Sequence, residues 1–174
     1  LSNYTNRLLV ANVTSRSENR LNNIISSILD SFPNENFESV LVQGDTASAY
    51  ACAIAGFNKG SKVIYLESGL RSFNLKHPFP EEGYRQMISR ISDINLCPTD
   101  LSLMNLENEN VPGKNYVVGN TVLDNLNELK SKAVYKNLVL ITLHRRENLP
   151  IINEWLDQIF NIAQNNNHTN FKII

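Results

Sequence analysis

The chain has 174 residues, 42% of them hydrophobic and 19% charged, with a net charge of -1 at neutral pH. That length suits one domain and part of a second, and the composition is that of an ordinary globular protein. No basic stripe, no block of like charge, no apolar run near the roughly 20 residues of a membrane span and no charged-then-apolar leader is present, which argues against a nucleic-acid or membrane partner and for a cytoplasmic location.

Residues 1 to 15 carry no clear pattern. From residue 17 to 31, Leu21, Ile24, Ile25, Ile28 and Leu29 recur at helical spacing and predict an amphipathic helix. Val40-Leu41-Val42 reads as a strand, followed by Gly44-Asp45-Thr46 and an alanine-rich helix to Phe57. Residues 62 to 66 read as a second strand, with a loop and a helix from Pro80 to Asp93 behind it. Ile94-Asn95-Leu96 precedes a helix over 99 to 110, and Tyr116-Val117-Val118 precedes one over 121 to 133. Residues 138 to 143 form a fifth strand before a helix over 150 to 164, and residues 171 to 174 read as the start of a sixth.

This alternation predicts an α/β fold with a mainly parallel, Rossmann-like sheet. Its short apolar strands suit a sheet with helices on both faces. A composition shift places a boundary near Lys136, giving one domain over 1 to 136 and the beginning of a second over 137 to 174. Cys52 and Cys97 lie in apolar stretches and read as buried thiols.

Polar residues gather where the strands end: Asp45, Glu67, Asn120, and His144 with Arg145 and Arg146. In open α/β sheets that edge binds ligands. Each has a plainer reading. Asp45 and Thr46 suit a helix cap, and Glu67 suits a pair with Arg71. Glu81 and Glu82 suit the first turn of a helix, with Arg85 four residues after Glu81 to pair with it. Three carboxylates from separate loops, Asp45, Glu67 and Glu81, tell more together, because crowding them raises at least one pKa and suits proton transfer. Arg71, Arg85, Arg145 and Arg146 would hold a phosphorylated ligand beside them.

"GDT", "ESGLR", "PFPEEGYR", "CPTD", "GNTVLDNL" and "HRREN" follow in order between Val40 and Asn148. Together they resemble the non-hydrolysing UDP-N-acetylglucosamine 2-epimerases. The resemblance implies a GT-B-type architecture of two Rossmann-like domains around a nucleotide-sugar cleft. It implies interconversion of UDP-GlcNAc and UDP-ManNAc by loss and re-addition of UDP through 2-acetamidoglucal. No cofactor and no metal are expected. By motif, Asp45, Glu67 and Glu81 match the acid-base carboxylates, and His144 matches a histidine near the diphosphate. Arg85, Arg71 and Asn120 are expected to bind substrate. Arg145 matches part of a second, regulatory UDP-GlcNAc site, and a homodimer is the usual assembly.

Two departures stand out. Gln43 occupies a position where many members carry histidine, and Ser68 one where they carry alanine. The family's G-T-R-P-E and S-G-G-x-x-E-E segments do not occur, so the chain is expected to be a piece of a longer protein and inactive alone. The alternatives are a hydrolysing 2-epimerase and a non-catalytic nucleotide-sugar-binding protein.

Overall fold

A computed structural model describes residues 19–128, 136–143 and 146–174. The chain divides into two compact units, Leu1–Glu128 and Leu129–Ile174. Among the described residues no helix is long and apolar enough to cross a membrane.

The first unit runs α1 (Arg20–Ser31), β1 (Ser39–Gln43), α2 (Ala47–Asn58), β2 (Lys62–Leu66), α3 (Glu81–Arg90), β3 (Ile94–Cys97), α4 (Asp100–Asn108), β4 (Lys114–Val117) and α5 (Val122–Glu128). Its four strands form a parallel sheet in the order β1-β2-β3-β4. Each crossover joins neighbouring strands in the same direction, so the right-handed rule puts α2, α3 and α4 on one face.

The core agrees. Val42, Val63 and Tyr65 from the strands pack with Ala47, Ala49 and Ala53 of α2 and with Tyr84 and Ile88 of α3. Cys97 packs with Leu106 and Val111 in a second cluster. Buried alanines surround α2 because α1 covers the side that the sheet does not, and a helix apolar all round is buried all round. Gly56 permits the close approach, since a Cβ there would lie 2.7 Å from a Val40 methyl. The other sheet face carries Leu41, Ile64, Leu66, Ile94, Leu96 and Tyr116, with Leu41 63% and Tyr116 49% exposed.

β4 begins at Lys114, two residues before the apolar run that marked it in the sequence. Its register is set by the ladder to β3, which pairs Ile94 with Lys114 and Asn95 with Asn115. The helix expected from Pro80 begins at Glu81, with Pro80 in the capping position. Cys52 and Cys97 are free thiols; Cys97 is buried and Cys52 partly so.

The second unit pairs β5 (Leu138–Ile141) in parallel with β6 (Asn170–Ile173). Between them lie a 3-10 turn (Arg146–Ile151) and α6 (Ile152–Gln164).

Candidate functional site

The carboxyl ends of β1 and β2 meet the start of α3. Thr46 is the N-cap of α2, its hydroxyl accepting from the Ala49 amide at 3.2 Å. That leaves the Asp45 side chain free of the capping role. It turns to α3, where Arg85 Nε donates to Asp45 Oδ2 at 2.8 Å and Nη2 lies 2.7 Å from the same oxygen.

Glu67 directly follows β2, with φ of 66°. A side chain other than glycine in the left-handed region costs about 1–3 kcal/mol, and such strain gathers at functional sites. Gln43 steadies it, donating from Nε2 to Glu67 Oε1 at 3.2 Å. The next residue, Ser68, is buried and donates to Asn95 Oδ1 at 2.7 Å, while Asn95 donates to Asn115. Gly69 follows with φ of 86°; its carbonyl accepts from Asn105, and a Cβ would lie 2.1 Å from the Ser102 carbonyl oxygen. The turn that carries Glu67 is therefore clamped from both sides.

Tyr65 lies among these groups, almost fully buried. Burial and then the Asp45 charge push its hydroxyl far above the usual range, with Arg71 and Arg85 opposing and Glu67 adding to the rise. A phenol that stays neutral between carboxylates is available as a hydrogen-bond donor.

Glu81 opens α3. Its Oε2 is buried and has no hydrogen-bond partner. The sequence offered an ion pair from Glu81 to Arg85, but the guanidinium turns to Asp45 and Glu82 instead. Arg85 thus joins the ends of β1 and α3, and Glu81, one turn earlier, keeps an oxygen uncommitted. Tyr84 stacks on Tyr50 of α2, with centroids 5.2 Å apart. Burial raises the Tyr84 hydroxyl, and the charges of Tyr50 and Glu81 add to the rise.

Glu82 was read as a charge at a helix start. It is 0% exposed. Its carboxylate accepts from the amides of Ser72 and Phe73 at 3.0 and 3.2 Å, from Gln86 Nε2 at 2.9 Å and from Arg85 Nη1 at 3.4 Å. Burial alone would raise its pKa; the hydrogen bonds from Ser72, Gln86 and Phe73 outweigh that and hold it below the usual 4.5.

Arg71 does not join the cluster through its donors. Its side chain is 0% exposed. Nε donates to Glu109 Oε1 at 2.8 Å, Nη1 to the Leu70 carbonyl, and Nη2 to Ser89 Oγ and Glu109 Oε2. A guanidinium so committed ties the Glu67 turn to α3 and the end of α4. Glu109→Gln should leave that buried cation without its counter-charge and cost about 3 kcal/mol, read as a lower midpoint in urea unfolding.

Asn120 lies at the carboxyl end of β4, where its Oδ1 accepts from the Val122 amide at 3.1 Å and starts α5. His144 and Arg145 lie outside the described residues. Among the described residues no group of three or more metal-ligating side chains is assembled. Asp45, Glu67, Arg85 and Tyr65 are therefore brought together, with Glu81 on the adjoining helix start.

A family model described as UDP-N-acetylglucosamine 2-epimerase matches residues 6–174. The UDP-N-acetylglucosamine 2-epimerase of Neisseria meningitidis is 38% identical over 144 residues, covering 72% of this chain and 39% of that protein. The chain thus spans well under half the length of this relative. A solved UDP-GlcNAc 2-epimerase from Neisseria meningitidis, bound to UDP-GlcNAc, matches with a TM-score of 0.76 and 36% identity over 88% of this chain and 47% of that one. The Methanocaldococcus jannaschii enzyme, in complex with UDP-GlcNAc and UDP, matches with a TM-score of 0.76 and 28% identity over 94% of this chain and 49% of that one.

Proposed function

Since the chain belongs to the UDP-N-acetylglucosamine 2-epimerase family, we propose that the whole protein to which it contributes interconverts UDP-GlcNAc and UDP-ManNAc without hydrolysis. The observation that carries this reading is the set of carboxylates at the ends of β1 and β2 and the start of α3: Asp45 on Arg85, Glu67 on a strained turn, and Glu81 with an unpartnered oxygen.

The reaction needs two proton-transfer groups, one for each face of the sugar. One carboxylate takes the proton from C2 as the C1–O bond breaks and its electron pair leaves with UDP. The resulting 2-acetamidoglucal is protonated at C2 from the opposite face, and UDP adds back at C1. Hydrogen moves as a proton, so no nicotinamide is consumed. Asp45, Glu67 and Glu81 supply the acid-base groups. Arg85 orients Asp45, Asn120 contributes at the end of β4, and His144 serves the diphosphate.

The same reading divides the whole protein into two Rossmann-like domains in a GT-B-type arrangement, with the first covering residues 1 to 136. It makes the protein a cytoplasmic homodimer, with Arg145 at a regulatory UDP-GlcNAc site.

The test is turnover of UDP-GlcNAc in deuterated water. Epimerisation puts deuterium on C2 of intact UDP-sugar. Release of UDP in step with free sugar assigns the hydrolysing reaction instead, and binding without exchange at C2 assigns a non-catalytic binder. The 174-residue chain alone should turn over at least about 1000-fold more slowly than the whole protein, because it carries only part of the cleft that positions the sugar.

A further inference from the structure

Glu82 is the one fully buried carboxylate among the described residues, and neither the fold nor the proton-transfer scheme so far gives it a purpose. Burying a carboxylate is costly, and helix packing alone does not call for one: an apolar side chain of similar size would fill the same space. Its bonds run in two directions. One oxygen accepts from the Phe73 amide and from Gln86, and the other from the Ser72 amide and Arg85. Phe73 sits at φ of 56°, so the loop it belongs to is held in a strained conformation. Arg85 in turn grips Asp45 through Nε and Nη2.

We propose that Glu82 is a positioning residue: it holds the Arg85 guanidinium on the Asp45 side of α3 and locks the Ser72–Phe73 turn to that ion pair. The inference rests on the proposed proton-transfer role of Asp45. The guanidinium is a rigid fork. Fixing Nη1 against Glu82 leaves Nε and Nη2 aimed at Asp45, and one carboxylate thereby sets the orientation of another. Gln86 is the brace on the far side, one turn along the helix from Glu82.

Glu82→Gln keeps the shape but turns one acceptor into a donor facing an amide or Arg85. In the whole protein, E82Q should lower kcat for epimerisation about 100-fold while KM changes less than about threefold, the signature of a misaligned catalytic group rather than of lost binding. The Arg85 Nη1 protons, followed by nitrogen-resolved NMR, should lose their protection from water exchange. Glu82→Asp, which keeps the charge on a shorter arm, should recover part of kcat. A kcat for E82Q within threefold of the unaltered protein overturns the proposal. So does a loss of thermal stability with kcat and the Arg85 signals unchanged.

If E82Q does not fold, the unaltered protein decides. Slow exchange at Arg85 Nη1 supports the proposal, and exchange as fast as at an exposed arginine rejects it. If the unaltered protein folds but does not epimerise, the functional reading falls, while the Nη1 measurement still judges the geometry.

Discussion

Asp45→Asn in the whole protein should lower kcat for epimerisation by about 1000-fold, within the range expected for removing a positioned proton-transfer group. Asparagine fits the same space and can still accept a hydrogen bond from Arg85, but it cannot take a proton. The Asp45 side chain is 30% exposed, so the change should barely move the unfolding midpoint. Deuterium uptake at C2, measured with the steady-state rate, separates a chemical defect from slow product release. An exchange rate within tenfold of the unaltered protein would remove Asp45 from the proton-transfer set and leave Glu67 and Glu81 to divide the work.

Gly69→Ala should be the most damaging single methyl in the first unit. Two faults coincide there. The backbone stands at φ of 86°, where an L side chain is strained, and the added Cβ would lie 2.1 Å from the Ser102 carbonyl oxygen. That neighbour is helix backbone and cannot rotate away. The combined strain and overpacking should cost about 3–5 kcal/mol, a large fraction of a domain's stability. Little folded material is expected by circular dichroism at 37 °C. Gly83, where a Cβ would meet nothing within 4 Å, is the matched control, and Gly83→Ala should leave the fold intact. A cooperative transition in G69A at the unaltered midpoint would show that the Glu67 turn is not clamped as described.

The α/β alternation was legible because most strands contain a short apolar run and several helices open on a cap or an acidic turn. Thr46 and Thr99 show it well: each precedes a helix, and each accepts from the amide three residues on. The gathering of Asp45 and Glu67 at the strand ends followed from parallel topology alone. What could not be read was the choice made by Arg85. Local spacing favours Glu81, four residues back, yet the ion pair forms with Asp45, forty residues away, because α3 packs beside α2. The partner of Arg71 was hidden for the same reason: local spacing offers Glu67, but the pair forms with Glu109, two helices and a strand further on. The burial of Glu82 had a weak local signal in Arg85 and Gln86 at three and four residues, but the amides of Ser72 and Phe73 belong to a loop whose path no periodicity sets. β4 began early because ladder pairing, rather than apolar content, fixes the ends of an edge strand.

The sheet surface opposite α2, α3 and α4 bears on how this polypeptide behaves in a test tube. Leu41 and Tyr116 stand there exposed, with partly buried isoleucines and leucines in the rows between. Such a surface gains free energy by meeting anything oily, including an identical molecule. At high concentration the 174-residue chain should therefore be poorly soluble for reasons unrelated to its chemistry, and a detergent or a fused carrier would be the sensible remedy.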